Sequence, residues 1–200
     1  MNKSECREHF LALRRNLSRE EWQLKNDQIL DRLVKLCLKL SPGEGLLFFP
    51  IEKKREVDLR KLPNMLYENG KSWSWSLPVM NENQGLNACR WIKDEPLLEA
   101  KFGVLEPQSI PERKLNGSAI SLIILPLIIA DQNGNRVGYG KGFYDRFMSS
   151  EATNALRVGV SMFSPIHEIS DINPMDQRLH ILICPEKSLA FDPEFRHLID

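Results

Sequence analysis

ISLIILPLIIADQNGNRVGYGKGFYDR, residues 120–146, joins the most apolar run of the chain to its densest cluster of glycines. Residues 120–125 are the most apolar run of the chain, interrupted only by Ser121, the pattern of a central strand covered on both faces. Pro126 ends it. Asn133-Gly134, set between apolar segments, is a turn signal. Gly138, Gly140 and Gly142 then alternate with Tyr139 and Lys141, leaving the backbone free to take positive φ and a ligand free to approach its amides. The helix-compatible segment that follows, residues 143–149, would add the positive end of a helix dipole, which favours an anion. Arg136, Lys141 and Arg146 supply positive charge, and Asp145 a hard oxygen ligand suited to Mg²⁺. A finished hairpin alone would account for the Asn-Gly pair, whereas three more glycines exceed what a turn needs. A turn and a phosphate cradle are therefore both expected. Neither the Walker A spacing nor GxGxxG is present.

Outward from this stretch, apolar runs alternate with helical segments. Residues 4–17 read as a helix with Cys6, Phe10, Leu13 and Leu17 along one side, bordered by Lys3, Arg7 and Arg14 within about 40° of one another. On the helix alone, that cationic edge reads as a solvated basic flank. Ser18 and Glu21 form a capping box for a second helix carrying Ile29, Leu33, Leu36 and Leu40. Residues 46–49 read as a buried strand ending at Pro50, followed by a basic loop at 51–55. Asp58 is placed as the cap of a helix with Leu59, Leu62 and Leu66, which Pro63 either starts or kinks. Glu56 reads locally as a surface carboxylate.

Residues 72–77 and 86–92 alternate like strands, with Trp73 and Trp75 read as core. Residues 93–117, with three prolines, are the least regular part, and Glu106 is placed there on a loop. Short strands are expected at 157–160 and 179–184. The whole predicts an α/β fold around a mainly parallel sheet, whose ligands gather at the carboxyl ends of the strands. The loops after Phe49, Leu125, Val160 and Cys184 are the candidate rim.

Two hundred residues with 42% hydrophobic and 27% charged side chains fit one soluble domain. Twenty-seven basic residues balance 27 acidic ones, so no net field recruits nucleic acid or an anionic membrane. No apolar stretch reaches the length of a membrane span and the N-terminus is too charged for a secretory signal, which predicts a cytoplasmic protein. Four scattered cysteines make no CxxC pair and read as reduced, buried thiols. Four scattered histidines lack HExxH spacing, and none is given a catalytic role.

With these residues in view, the chain resembles the 5-formyltetrahydrofolate cyclo-ligase family, also called methenyltetrahydrofolate synthetase. The specific match is residues 126–146. Lys3 and Arg7 ahead of Ser18, Glu56-Val57-Asp58, FGVLEP at 102–107 and the late Asp176 support it. The resemblance implies a three-layer α/β sandwich, NagB/RpiA/CoA-transferase-like, as a single domain over 1–200 with 93–117 as a lobe or lid. It implies ATP- and Mg²⁺-dependent conversion of 5-formyltetrahydrofolate to 5,10-methenyltetrahydrofolate, releasing ADP and phosphate, by a monomer with no nucleic-acid or membrane partner.

Carried over by the resemblance, Lys3, Arg7, Arg136, Val137, Gly138, Tyr139, Gly140, Lys141, Gly142, Phe143 and Tyr144 are expected at ATP. Phe49, Ile51, Glu56, Phe102, Tyr139 and Phe143 are expected at the folate, and Asp145 and Asp176 at Mg²⁺. Lys141, Arg136 and Tyr139 are expected to act in catalysis, Lys141 by stabilising charge on the transferring phosphoryl group. The chain departs from the family at Leu179-His180, where many members have Leu-Asp. It departs also in the long basic loop, where Lys53, Lys54 and Arg55 are expected to meet a polyglutamate tail on the substrate. Two other classes stand beside this reading: a sugar-phosphate isomerase or acyl-CoA transferase on a related scaffold, and a nucleotide-binding regulator without catalysis.

Overall fold

The computed structural model describes residues 1–81, 85–108 and 111–199, and the side chain of Phe102 lies outside what is described. In chain order the elements are α1 (Lys3–Asn16), α2 (Arg19–Lys39), β1 (Glu44–Leu46), α3 (Leu62–Glu68), β2 (Ser74–Met80), β3 (Leu86–Arg90), β4 (Leu97–Glu99), β5 (Leu105–Pro107), β6 (Lys114–Leu115), β7 (Ile120–Pro126), β8 (Ile129–Ala130), β9 (Arg136–Val137), α4 (Phe143–Ser150), β10 (Leu156–Val160), β11 (Ile181–Ile183) and β12 (Ser188–Ala190). Eight strands form the main sheet in the order β12-β11-β10-β7-β1-β2-β3-β6. The run β11-β10-β7-β1-β2 is parallel, and β12, β3 and β6 extend it antiparallel at the two edges.

The expected central strand is β7. Because side chains alternate along it, Leu122 and Ile124 pack into one core with Ile29 and Leu33 of α2 and Leu62 and Leu66 of α3. Ile123 and Leu125 face the other core, with Phe147 and Met148 of α4. Helices thus cover both faces, which is what an unalternating apolar strand requires. A third cluster docks α1 through Cys6 and Phe10 on Ile128, Ile129 and Val137 of the β8–β9 hairpin.

Both helix starts obey local chemistry. Asn2 and Glu5 make a capping box for α1, and Ser18 with Glu21 makes the expected one for α2. Elsewhere the boundaries shift. Helix α3 begins at Leu62 with Pro63 in its first turn, where a missing N–H costs nothing, and the Asp58 carboxylate accepts from Arg60 N (2.9 Å) in the turn before it. Strand β1 starts two residues earlier than its apolar run, which continues past the ladder with Leu47 N donating to Ser76 O at 3.0 Å. Trp75 is core and Trp73 stacks on it at 5.5 Å, half-buried, one residue before β2.

Residues 93–117 hold the β4–β5 hairpin and edge strand β6, so Glu106 stands on a strand and not on a loop. The antiparallel β12 and the 3₁₀ turn at Pro193–Leu198 were not anticipated. The four cysteines are free and buried, as expected. Among the described residues no helix is long and apolar enough to cross a membrane.

Candidate active site

The chain reverses direction across the sheet between β1 and β7: β2 lies on one side of that pair, β10 and β11 on the other. Such a switch point opens a crevice outside the carboxyl ends of the strands. A cavity of about 610 Å³ lies there. Phe48, Phe49 and Ile51 reach it from the end of β1, Pro78 and Met80 from β2, and Pro126 from β7. The connection after β10 adds Asn173, Met175 and Asp176, whereas the segment after Cys184 stays off the wall.

The glycine loop forms one wall. Gly140 and Gly142 have φ of 85° and 66°, the left-handed region that other residues enter only with strain, whereas Gly138 is not in that region. The Arg7 guanidinium lies against Gly140, and its Nε donates to Gly138 O at 2.8 Å, tying α1 to the loop. Gly142 leads directly into α4, so the unpaired amides of its first turn face the loop. Arg146 donates to Lys141 O (3.1 Å) and stacks over Phe143 (5.4 Å).

Behind the loop runs a buried polar chain. Tyr139 donates its hydroxyl hydrogen to Glu56 Oε1, and Arg14 Nη2 donates to that hydroxyl oxygen at 2.5 Å. Glu56 Oε2 accepts from Ile51 N at 2.7 Å, and Glu56 is 4% exposed. It is therefore no surface carboxylate: the 3₁₀ turn at Glu52–Lys54 and the left-handed Arg55 fold the basic loop back over it. That fold also brings Lys54 Nζ to 4.0 Å from the centre of the Tyr139 ring. Lys54 thus points into the cavity, and Lys53 alone of the basic trio is fully on the outside. Burial, and then the Glu56 charge, push the Tyr139 phenol well above its usual range, and burial does the same for Tyr144. Both remain hydrogen donors at neutral pH.

A second network sits at the α4 end. Arg136 Nη2 donates to Asp145 Oδ1 at 2.7 Å and Nη1 donates to Gln177 O, while Gln177 N donates to the same Asp145 oxygen at 3.0 Å. Lys3 pairs with Asp176, whose Oδ2 also accepts from Asn173 N at 2.8 Å. Both carboxylates line the cavity.

The structure gathers Lys3, Arg7, Phe49, Ile51, Glu56, Arg136, Asp176 and residues 138–145 on this one wall system. Val137 stands apart from the cavity, fully buried in the cluster with Phe10 and Ile129, and its carbonyl accepts from Ile128 N at 2.8 Å, so the structure does not bring it to the site. The expectation for the Phe102 side chain falls outside the described residues. Arg14, behind the wall, and Glu106, on it, were not among the expected site residues. Arg14 belongs to the cationic edge read as a solvated flank; Arg7 and Arg14 instead turn toward the glycine loop and Lys3 toward Asp176, and their shared helical face was the signal. Lys54, expected with the rest of the basic loop to meet a polyglutamate tail, stands over the Tyr139 ring, and Glu106 carried no signal beyond its place in FGVLEP.

Comparisons with known proteins agree with this fold. The solution structure of Aquifex aeolicus 5,10-methenyltetrahydrofolate synthetase superposes with a TM-score of 0.75 at 29% identity, over 96% of this chain and 93% of that one. A Haemophilus influenzae 5-formyltetrahydrofolate cyclo-ligase is 24% identical over 150 residues, 74% of this chain and 78% of the relative. A probable cyclo-ligase of Schizosaccharomyces pombe is 32% identical over 148 residues, 67% and 71% of the two chains. The family model for the 5-formyltetrahydrofolate cyclo-ligase family matches residues 1–185. With that match running nearly end to end, this chain belongs to the 5-formyltetrahydrofolate cyclo-ligase family.

Proposed function

We propose that the chain converts 5-formyltetrahydrofolate to 5,10-methenyltetrahydrofolate with ATP going to ADP and phosphate. The observation that carries this is the single cavity in which a glycine loop, a helix N-terminus and a ring of cations meet a buried Glu56–Tyr139–Arg14 chain and an apolar wall. The first set suits a nucleoside triphosphate, the second a flat polar heterocycle. A formyl oxygen is a poor leaving group. Transfer of the γ-phosphoryl group to it makes one that departs as phosphate when the neighbouring folate nitrogen attacks the formyl carbon and closes the ring. Such chemistry asks for positioning and charge stabilisation.

In this reading Arg7, Lys141 and the amides opening α4 hold the phosphates, and Tyr139 lies between the two substrates, kept protonated and oriented by Glu56 and Arg14. Asp145 and Asp176 fit Mg²⁺ of the kind carried by a nucleotide, which needs one or two carboxylates plus phosphate oxygens. Among the described residues no group of three metal-ligating side chains forms a protein-only cage. When bound, the ion would neutralise charge on the phosphates. We assign residues 1–200 to one cytoplasmic, monomeric domain of the NagB/RpiA/CoA-transferase-like kind, which the parallel sheet with helices on both faces supports.

The test follows methenyltetrahydrofolate by absorbance and phosphate release together, with ATP, Mg²⁺ and 5-formyltetrahydrofolate. Stoichiometric product is expected, and folded protein that makes none defeats the reading. Asp176→Asn should raise the Mg²⁺ needed for half-maximal turnover, because it removes the charge of one of the two carboxylates; an unchanged requirement removes Asp176 from the metal. Asp145→Asn is less clean, since it also strips the ionic partner from Arg136, whose side chain is 8% exposed.

A further inference from the structure

Glu106 lies at the middle of β5, opposite Leu98 of β4, at the point where β2 ends. Its Oε1 accepts from Met80 N at 3.2 Å. The residue is 9% exposed yet lines the cavity, beside Pro78, Met80, Leu86 and Val104. Among the described residues it joins no salt bridge, and its Oε2 has no hydrogen-bond partner. Glu56, the other buried carboxylate of the wall, has both oxygens engaged by Ile51 N and the Tyr139 hydroxyl.

An unpaired carboxylate in an apolar wall is costly unless something completes it. Burial pushes the Glu106 carboxyl above its usual range, with only the Met80 N–H opposing. Since each carboxylate oxygen carries two acceptor sites, the Met80 bond leaves the pair open to a ligand edge with two adjacent N–H donors. The cationic groups that would hold phosphates belong to α1, the glycine loop and the 3₁₀ turn, not to this wall.

We propose that Glu106 binds the amino-pyrimidinone edge of the folate, accepting hydrogen bonds from the ring N3–H and the 2-amino group, and thereby selects a pterin. This rests on the cyclo-ligase reading. It assigns the apolar side of the cavity, between β2, β3 and β5, to the pterin ring, and leaves Glu56 and Tyr139 for the formyl end. A bond to an ionised acceptor lost at such a site reduces binding by about 10- to 100-fold.

The experiment compares wild type with Glu106→Gln on 5-formyltetrahydrofolate and on its 2-desamino-2-methyl analogue, with KM for ATP measured in parallel. Gln keeps an oxygen for Met80 N but turns an NH₂ toward the ring donors. Wild type should disfavour the analogue by about 10- to 100-fold. Glu106→Gln should lose a similar factor on the natural substrate, keep KM for ATP and the melting temperature, and no longer distinguish the two folates. Equal losses on both folates, or none, would make Glu106 a tie between β5 and β2 and overturn the assignment. Wild type that binds the analogue as well as the natural substrate overturns it without any variant. Wild type that binds no folate at all defeats the cyclo-ligase reading itself, a result distinct from folate binding without discrimination.

Discussion

Arg14 carries its charge into the protein behind Tyr139 with 3% of its surface exposed, donating to the Tyr139 hydroxyl and, at 3.5 Å, to Leu127 O. Arg14→Met should cost about 2 kcal/mol of stability, the worth of hydrogen bonds from a charged donor, and Arg14→Lys should not restore it because a point charge cannot bridge both acceptors. Urea unfolding reads this, and a stability equal to wild type would refute it. His180 presents its ring to Arg157, whose backbone N–H donates to Nδ1 at 3.1 Å and whose guanidinium faces Nε2. Burial, and then the Arg157 charge, pull the His180 imidazole down from 6.5 to about 4. The unfolded chain therefore takes up the proton first as pH falls, so this contribution is whole above about pH 6.5 and is lost progressively down to about pH 4. His180→Asn should flatten the fall in urea midpoint between pH 7 and pH 5; identical slopes for both proteins would exclude His180 as its source. Neither placement follows from residue type, because the neighbours that fix both side chains lie more than a hundred and more than twenty residues away.

At the scale of elements, the β8–β9 hairpin is held less by its ladder than by one carboxylate. Asp131 is fully buried and accepts from Asn133 N (2.9 Å), Asn135 N (2.9 Å), Asn135 Nδ2 (2.8 Å) and Ile169 N (3.2 Å). Asn133-Gly134 was legible as a turn because the dipeptide states its own backbone preference. That Asp131 also pins the segment at Ile169 was not, since no local pattern reports a bond across 38 residues. Asp131→Ala leaves the buried Ile169 N–H and three part-buried donors without their acceptor and should cost about 3 kcal/mol. Because β9 leads straight into the glycine loop, KM for ATP should rise as well. A hairpin indifferent to Asp131→Ala, with unchanged stability and KM, would show that the ladder suffices.

Across the whole molecule all four thiols are buried, Cys37 in the core on the α2–α3 face of the sheet and Cys6 in the cluster under α1. Burial pushes the Cys37 thiol up to about 12, and none of the four is more than 2% exposed. A thiol reagent at pH 8 should label native protein slowly and all four groups at once in denaturant, with melting unchanged by reductant; rapid labelling of the folded chain would contradict the packing. The amino-acid order by itself determined the capping boxes, the apolar β7, the Asn-Gly turn, the glycine loop and hence the family, because each is a contest between neighbours in the chain. Tertiary structure alone supplied the physical reason these charges turn inward. Lys3, Arg7 and Arg14 turn inward because Cys6 and Phe10 dock α1 on the β8–β9 hairpin, Lys54 because its loop folds back through Glu56, and Glu106 because β5 ends beside β2. Burial of a charge depends on the sum of distant contacts, which short-range patterns do not contain.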